Sequence, residues 1–232
     1  MICTTAEQLD ETERTPSTIY SAGNNIYCCS IVILISNYSL SYAQNINGCD
    51  NYTPSTGQTV TCSNAYGAST SGVQTPQNNT GNNNVTVNID ATAQRSINGS
   101  TVGLGSASTV TNAGTLNTQS FYYGYGISFG ANGRSKAGGN TVNNSGTITT
   151  GGTSADAIHV ESTNASAAAD SITNTGTLTT SGNSANGIWT SSTQSNVTIS
   201  NSGSITTSGQ NADAIYAKNT GNSVTLTNNA GG

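Results

Sequence analysis

The only histidine of the chain, His159, has two carboxylates close by in sequence, Asp156 and Glu161. Acid–base and nucleophilic catalysis often use an imidazole with a carboxylate, provided that a nucleophile or second acid lies within hydrogen-bonding distance. Asp213, two repeats after Asp156, would lie roughly 10 Å away, too far for the two carboxylates to share a proton or a metal ion. After residue 43 the chain has only six acidic and four basic residues. The sequence therefore predicts a non-enzymatic protein, with no catalytic residue, cofactor or metal site.

A second group of side chains is better suited to binding. Trp189 and Tyr216 take the place of His159 in the next two repeats, which predicts an outward column of rings that can stack on sugars or pack against protein. The alternative is that these rings only cover neighbouring strands. Arg134 and Lys136 lie in a glycine-rich insertion. Insertions at one corner of a repeat protein often carry binding loops, although a loop without function explains the sequence equally well.

These residues are positioned by a repeat. The chain reads TVTNAGTLNT, TVNNSGTITT, SITNTGTLTT and TISNSGSITT, and the repeat glycines after Gly114 follow at steps of 32, 30, 27 and 28 residues. Such a period indicates a solenoid. Thr, Ser, Asn and Gly dominate each repeat, and the apolar residues alternate in short runs, which favours strands and turns over helices. The predicted fold is all-β, a right-handed parallel β-helix with about 27–32 residues per coil.

Equivalent side chains of successive coils should lie above one another. This predicts three inward apolar stacks: Val142, Ile172 and Ile199; Ile148, Leu178 and Ile205; Ile158, Ile188 and Ile215. The asparagines two residues before the repeat glycines should form a hydrogen-bonded ladder, and the glycines should adopt positive φ. Disordered polar sequence is the alternative, but the regular spacing from glycine to isoleucine argues against it.

The remainder of the chain suggests three segments: a signal-peptide-like leader at 1–43, an N-terminal cap at 44–80 and the repeats at 81–232. The leader has an apolar run at 28–35 and small residues before a cleavage site at Gln44, although its start is acidic and a buried strand is the alternative. If the leader is removed, Cys49 and Cys62 remain and can form a disulfide. The formal net charge of −5 gives no basic surface for nucleic acid.

The repeats, the segments ADAI, ANGI and ADAI, and the opening SYAQ…CDNYTPSTGQTVTC together resemble the passenger region of bacterial autotransporter adhesins of type V secretion. The resemblance covers about residues 40–232. It implies export, passage through an outer-membrane barrel and display of a β-helix on the cell surface, where a host-cell surface or a glycan would be the ligand. No catalytic residue of the family maps onto the chain. The translocator barrel of complete members has no counterpart here, so we expect a passenger truncated before it.

The expected function is therefore that of an exported adhesin or binding scaffold. A purely structural stalk is the first alternative. A minor alternative is ice binding by the aligned Thr-x-Thr pairs, which should form an outward array of hydroxyl and methyl groups; their members are Thr147 and Thr149, Thr177 and Thr179, and Ser204 and Thr206.

Overall fold

The computed structural model describes residues 48–64, 71–77, 83–164 and 168–229, all within one compact unit, 40–232. These ranges hold strands and turns and no helix. The strands are β1 Gly48–Cys49, β2 Thr59–Ser63, β3 Val73–Gln74, β4 Thr86–Ile89, β5 Gln94–Ile97, β6 Val102–Leu104, β7 Thr109–Asn112, β8 Thr115–Thr118, β9 Ile127–Phe129, β10 Thr141–Asn144, β11 Thr147–Thr150, β12 Ile158–Ser162, β13 Asp170–Asn174, β14 Thr177–Thr180, β15 Ile188–Ser192, β16 Val197–Asn201, β17 Ser204–Thr207, β18 Ile215–Asn219 and β19 Val224–Asn228.

The strands form three sheets, and each complete coil contributes one strand to each sheet. Sheet A has the order β1-β2-β4-β7-β10-β13-β16-β19, sheet B β18-β15-β12-β9-β6-β3, and sheet C β17-β14-β11-β8-β5. Every pairing after β1–β2 is parallel. The chain passes from sheet A to C to B and back to A in about six coils. The parallel β-helix predicted from the repeat is thus confirmed.

The apolar stacks have the predicted register. Val142 pairs with Ile172 and Ile172 with Ile199 in sheet A, while the stacks that begin at Ile148 and Ile158 continue through sheets C and B in the same way. Side chains in the middle coils are fully buried, as Ile148 and Ile158 are at 0% exposure. Full burial of an aliphatic side chain contributes about 1.5–3 kcal/mol. The core therefore comes from stacking of coils, because one coil alone has no such interior.

A ladder of asparagines runs up the corner between sheets A and C, as predicted. The Nδ2 of Asn144 donates to Asn174 Oδ1 at 2.7 Å, and Asn174 in turn donates to Asn201 at the same distance. Asn112 precedes them and Asn228 follows them in the same chain of bonds. The middle members are buried, so the ladder satisfies amides that would otherwise be costly to bury.

The repeat glycines have a different role from the predicted one. Positive φ is found at other glycines, and not at Gly146, Gly176 or Gly203. At Gly176 an added Cβ would lie 2.0 Å from the carbonyl oxygen of Gly146, and at Gly203 it would lie 2.1 Å from that of Gly176. Glycine is therefore required because the coil below passes too close for any side chain, and the prediction of positive φ was wrong.

At the N-terminal end of the solenoid, β1 forms the edge strand of sheet A. The structure joins Cys49 to Cys62 by a disulfide, and β1 runs antiparallel to β2 across the end of sheet A. Arg95 points inward, in register with Leu116 of the next coil, and its guanidinium lies 5.3 Å from the centre of the Tyr52 ring. These groups cover the first coil and protect its strand edges. The parallel ladder already includes β2 and β3, which precede residue 81. The predicted leader lies outside the described residues.

Candidate functional site

A groove of about 340 Å³ runs along the corner where the chain passes from sheet C to sheet B. We call it the corner groove. The three later coils each contribute two turn positions and one position on the following strand of sheet B, and the first coil contributes only the two turn positions. Its lining consists of Tyr123, Tyr125, Ser154, Asp156, His159, Ser184, Asn186, Trp189, Asn211, Asp213 and Tyr216. Because equivalent residues stack coil on coil, the lining forms three columns parallel to the solenoid axis.

The first column has a left-handed backbone in every coil. Tyr123, Ser154, Ser184 and Asn211 have φ of 49°, 53°, 55° and 55°. Their backbone hydrogen bonds are equivalent too. Tyr123 N donates to Thr153 O, and Ser154 N donates to the equivalent carbonyl oxygen of the next coil. A left-handed conformation suits asparagine but is strained for a bulky side chain. Tyr123 is therefore the member of this column that fits its backbone least well.

The second column consists of Tyr125, Asp156, Asn186 and Asp213, and hydrogen bonds link the last three. Asp156 Oδ1 accepts from the backbone N and the Nδ2 of Asn186, at 2.7 and 2.9 Å. Asn186 Oδ1 accepts in turn from the backbone N of Asp213 at 2.8 Å. Burial, together with the charge of Asp156, raises the pKa of the Tyr125 phenol. Tyr125 therefore keeps its proton and remains a hydrogen-bond donor at physiological pH.

The third column is a stack of aromatic rings. His159 pairs in register with Trp189, and Trp189 with Tyr216. The His159 and Trp189 rings lie 4.2 Å apart and 5° from parallel, while Tyr125 covers the other face of the imidazole at 4.3 Å. Tyr216 continues the stack 6.2 Å from Trp189. Since ring faces cover one another, the column presents ring edges to the groove. The sequence placed the same three residues, His159, Trp189 and Tyr216, in one column, and their role in binding stays a prediction.

His159 is held in place by its neighbours. Its Nδ1 lies 2.8 Å from Asp156 Oδ2, its ring is enclosed by Tyr125 and Trp189, and the residue is only 8% exposed. Glu161, the second carboxylate near it in sequence, is paired with Lys136 instead. The arrangement orients the imidazole through a carboxylate, as catalytic sites do. The same contacts are also consistent with a purely structural role, because through them His159 connects the second and third columns.

Three aromatic side chains project beside the groove at its first coil. Phe121, Tyr122 and Tyr123 are 85%, 67% and 57% exposed, and we call them the aromatic platform. Their backbone is fixed to the next coil, because Thr153 N donates to Phe121 O at 2.9 Å and Tyr123 N donates to Thr153 O at 3.1 Å. The platform therefore offers exposed ring surface on an ordered backbone, a combination typical of binding sites.

The structure places Arg134 and Lys136 away from the corner groove, in the insertion between sheets B and A. Arg134 is buried: its Nε donates to Thr75 O at 3.1 Å and its Nη2 to Gln74 Oε1 at 2.8 Å. Lys136 Nζ lies 2.5 Å from Glu161 Oε1. Arg134 thus fastens the insertion to an earlier coil instead of offering a charge to a ligand. Burial also lowers the pKa of its guanidinium.

Tyr123 and Tyr125 were missed as site residues by sequence reasoning, although their signal was present. Aligning YYGYGI with TSADAI, NSANGI and QNADAI places the two tyrosines in the positions of Ser154 and Asp156. The polar members Ser184 and Asn211 were also missed, because the turn residues of a repeat look structural when each repeat is read alone.

No family model, curated protein or solved structure matches the chain. Within the ranges described above, no set of three or more His, Cys, Asp or Glu side chains is placed to hold a metal ion. The same ranges contain no helix that is long and apolar enough to cross a membrane.

Proposed function

We propose that the chain is a non-enzymatic binding solenoid, the passenger part of an exported adhesin, and that the corner groove is its ligand-binding surface. The observation that carries the proposal is the set of side chains that line the corner groove. The corner groove gathers most of the aromatic side chains of the repeats together with hydrogen-bonding groups, as ligand sites do. The resemblance of the repeats to autotransporter passengers supports the same class of function.

Export is supported by two properties of the chain. The Cys49–Cys62 disulfide needs an oxidising compartment to persist. Charged residues make up only 6% of the sequence, while Thr, Ser, Asn and Gly dominate, a composition that suits a surface-exposed solenoid.

Binding is tested with the full chain on fixed host cells and on an array of immobilised oligosaccharides. The variant Trp189→Ala, Tyr216→Ala removes two of the four stacked rings. Affinity should fall about tenfold or more, since aromatic anchors dominate binding sites. Thr149→Ala, Thr179→Ala on sheet C is the matched control and should bind like the unchanged protein. Equal binding by the aromatic variant would move the site elsewhere, and absence of binding by the unchanged chain would favour the structural stalk.

A second candidate is ice binding by sheet C. Thr147, Thr177 and Ser204 are in register, as are Thr149, Thr179 and Thr206, so the hydroxyls form two regular outward columns. Thermal hysteresis of the full chain at millimolar concentration tests this function. Thr179→Tyr, which breaks the flat array, should abolish the hysteresis, and no hysteresis in the unchanged protein would reject ice binding.

A further inference from the structure

We infer that the corner groove takes a neutral polysaccharide chain that lies along the solenoid axis, and that Tyr123 is its specificity-determining anchor. This inference rests on the proposed function, because it names the ligand class of the same groove.

The charge of the groove selects against acidic ligands. Two carboxylates, Asp156 and Asp213, are part of its lining, and none of the described lining residues is Lys or Arg. Asp156 is buried, accepts a hydrogen bond from Asn186 Nδ2 and lies 2.8 Å from His159 Nδ1, whereas Asp213 is exposed. A sulfated or carboxylated glycan would meet unfavourable charge there with no cation to pair with. Neutral hydroxyl groups would meet no such penalty.

The spacing of the groove suits a polymer. Ser154, Ser184 and Asn211 present polar side chains at intervals of one coil, about 4.8 Å. A ligand that repeats hydroxyl groups along an extended chain can bond to several coils at once, whereas a small molecule would use only one or two. Hydroxyl and amide side chains can both donate to and accept from sugar hydroxyls.

The aromatic platform supplies the exposed ring faces that His159 and Trp189 do not. Faces of His159 and Trp189 are covered by neighbouring rings, so a sugar can meet only their edges. Tyr123 lies 6.4 Å from Tyr125, tilted by 58°, and is therefore not part of the parallel stack. Tyr123 is the first member of the first column, whose later members are polar. Its exposed ring therefore places an apolar surface at the first coil of the groove.

The backbone of Tyr123 is the independent observation that points to function. Its three equivalents are serine or asparagine, yet this position holds a tyrosine at a φ of 49°. Strained backbone of this kind is enriched at functional sites, where the side chain is needed despite its cost. An asparagine would fit the same turn with less strain, so the fold alone gives no reason for tyrosine.

The test compares the full chain with Tyr123→Asn against neutral probes (mannan, xylan and dextran) and acidic probes (heparin and hyaluronan). The unchanged protein should bind at least one neutral probe about tenfold more tightly than either acidic probe, a difference well within the range that charge repulsion produces. Tyr123→Asn should lower that affinity about tenfold, as loss of an aromatic anchor does, while its unfolding temperature stays equal or rises.

Ala107→Gly is the matched control, because Ala107 also has a left-handed φ, 55°, and lies outside the lining of the groove. It should relieve strain without changing affinity. Binding by Tyr123→Asn equal to that of the unchanged protein, acidic probes that bind as tightly as neutral ones, or no neutral probe bound would each overturn the inference. The proposed function would still stand if cell binding remained sensitive to Trp189→Ala, Tyr216→Ala.

Discussion

The asparagine ladder and the corner groove are both built by stacking one residue position over successive coils, yet they follow opposite rules. In the ladder, each coil from Asn112 onward repeats the same side chain and the same bond at 2.7–2.8 Å. In the groove, one column changes from histidine to tryptophan to tyrosine, and another begins with tyrosine and continues with serine.

The difference follows from what each column contacts. A buried amide must find its partner in the next coil, so any change leaves an unsatisfied polar group in the interior. The exposed groove side chains, such as Tyr123 and Ser184, face solvent and can change without that penalty. Among polar columns, the uniform buried one therefore marks positions that maintain the fold, and varied exposed positions are available for recognition.

The largest effect should come from the repeat glycines. In Gly176→Ala the new Cβ would lie 2.0 Å from the carbonyl oxygen of Gly146, which forces two coils apart. We expect a loss of about 3–5 kcal/mol in the free energy of unfolding, in the range of severe backbone and packing disruption. Gly151→Ala is the control, because its nearest atom is Ser181 Oγ at 3.7 Å. Denaturant unfolding of the two variants measures the difference, and equal midpoints would contradict the close-approach explanation.

The next effect concerns the ladder itself. Asn174→Ala removes the acceptor of Asn144 and the donor to Asn201 inside the corner. Leaving these buried groups unsatisfied should cost about 2–3 kcal/mol. Asn143→Ala changes an exposed asparagine one residue before a ladder member and should stay within about 0.5 kcal/mol of the unchanged protein. A similar loss in both variants would show that the ladder contributes no more than surface asparagines do.

Sequence reasoning reached the fold because the repeat fixes register. Once Ile158, Ile188 and Ile215 are aligned, parallel strands must place them over one another. It reached the wrong role for Gly176, because a close approach between coils depends on backbone distances that spacing does not give. It also assigned Arg134 to the surface, since a charged residue in a glycine-rich loop looks exposed until the loop is seen to fold back onto an earlier coil.

Trp189→Ala tests whether the ring column of the groove serves stability or binding. The change removes ring contacts with His159 at 4.2 Å and with Tyr216 at 6.2 Å. Aromatic pairs contribute about 0.5–1.5 kcal/mol each beyond their buried area, so loss of the two pairs should cost about 1–3 kcal/mol of stability. Unlike Asn174→Ala, this change should also weaken ligand binding. A stability loss with unchanged binding would assign the ring column to the fold.

The smallest effect depends on pH. Burial raises the pKa of the Asp170 carboxyl, against the hydrogen bonds from Asn140 that lower it. The folded state therefore binds this proton more tightly than the unfolded state, and stability falls as the pH rises through the folded pKa. Asp170→Asn should therefore gain more stability over the unchanged protein at pH 7 than at pH 4. The gain should shrink to nothing below about pH 4, the ordinary range of aspartate. A gain that is independent of pH would contradict this account.

Hydrogen exchange of the full chain, with and without the tightest-binding neutral probe among mannan, xylan and dextran, tests the central claim most directly. The account predicts slower exchange on binding in the groove turns 152–156, 182–186 and 209–213, and unchanged exchange in β14 of sheet C. Protection confined to sheet C, or protection that leaves the groove turns unchanged while the probe is bound, would contradict the assignment of recognition to the corner groove.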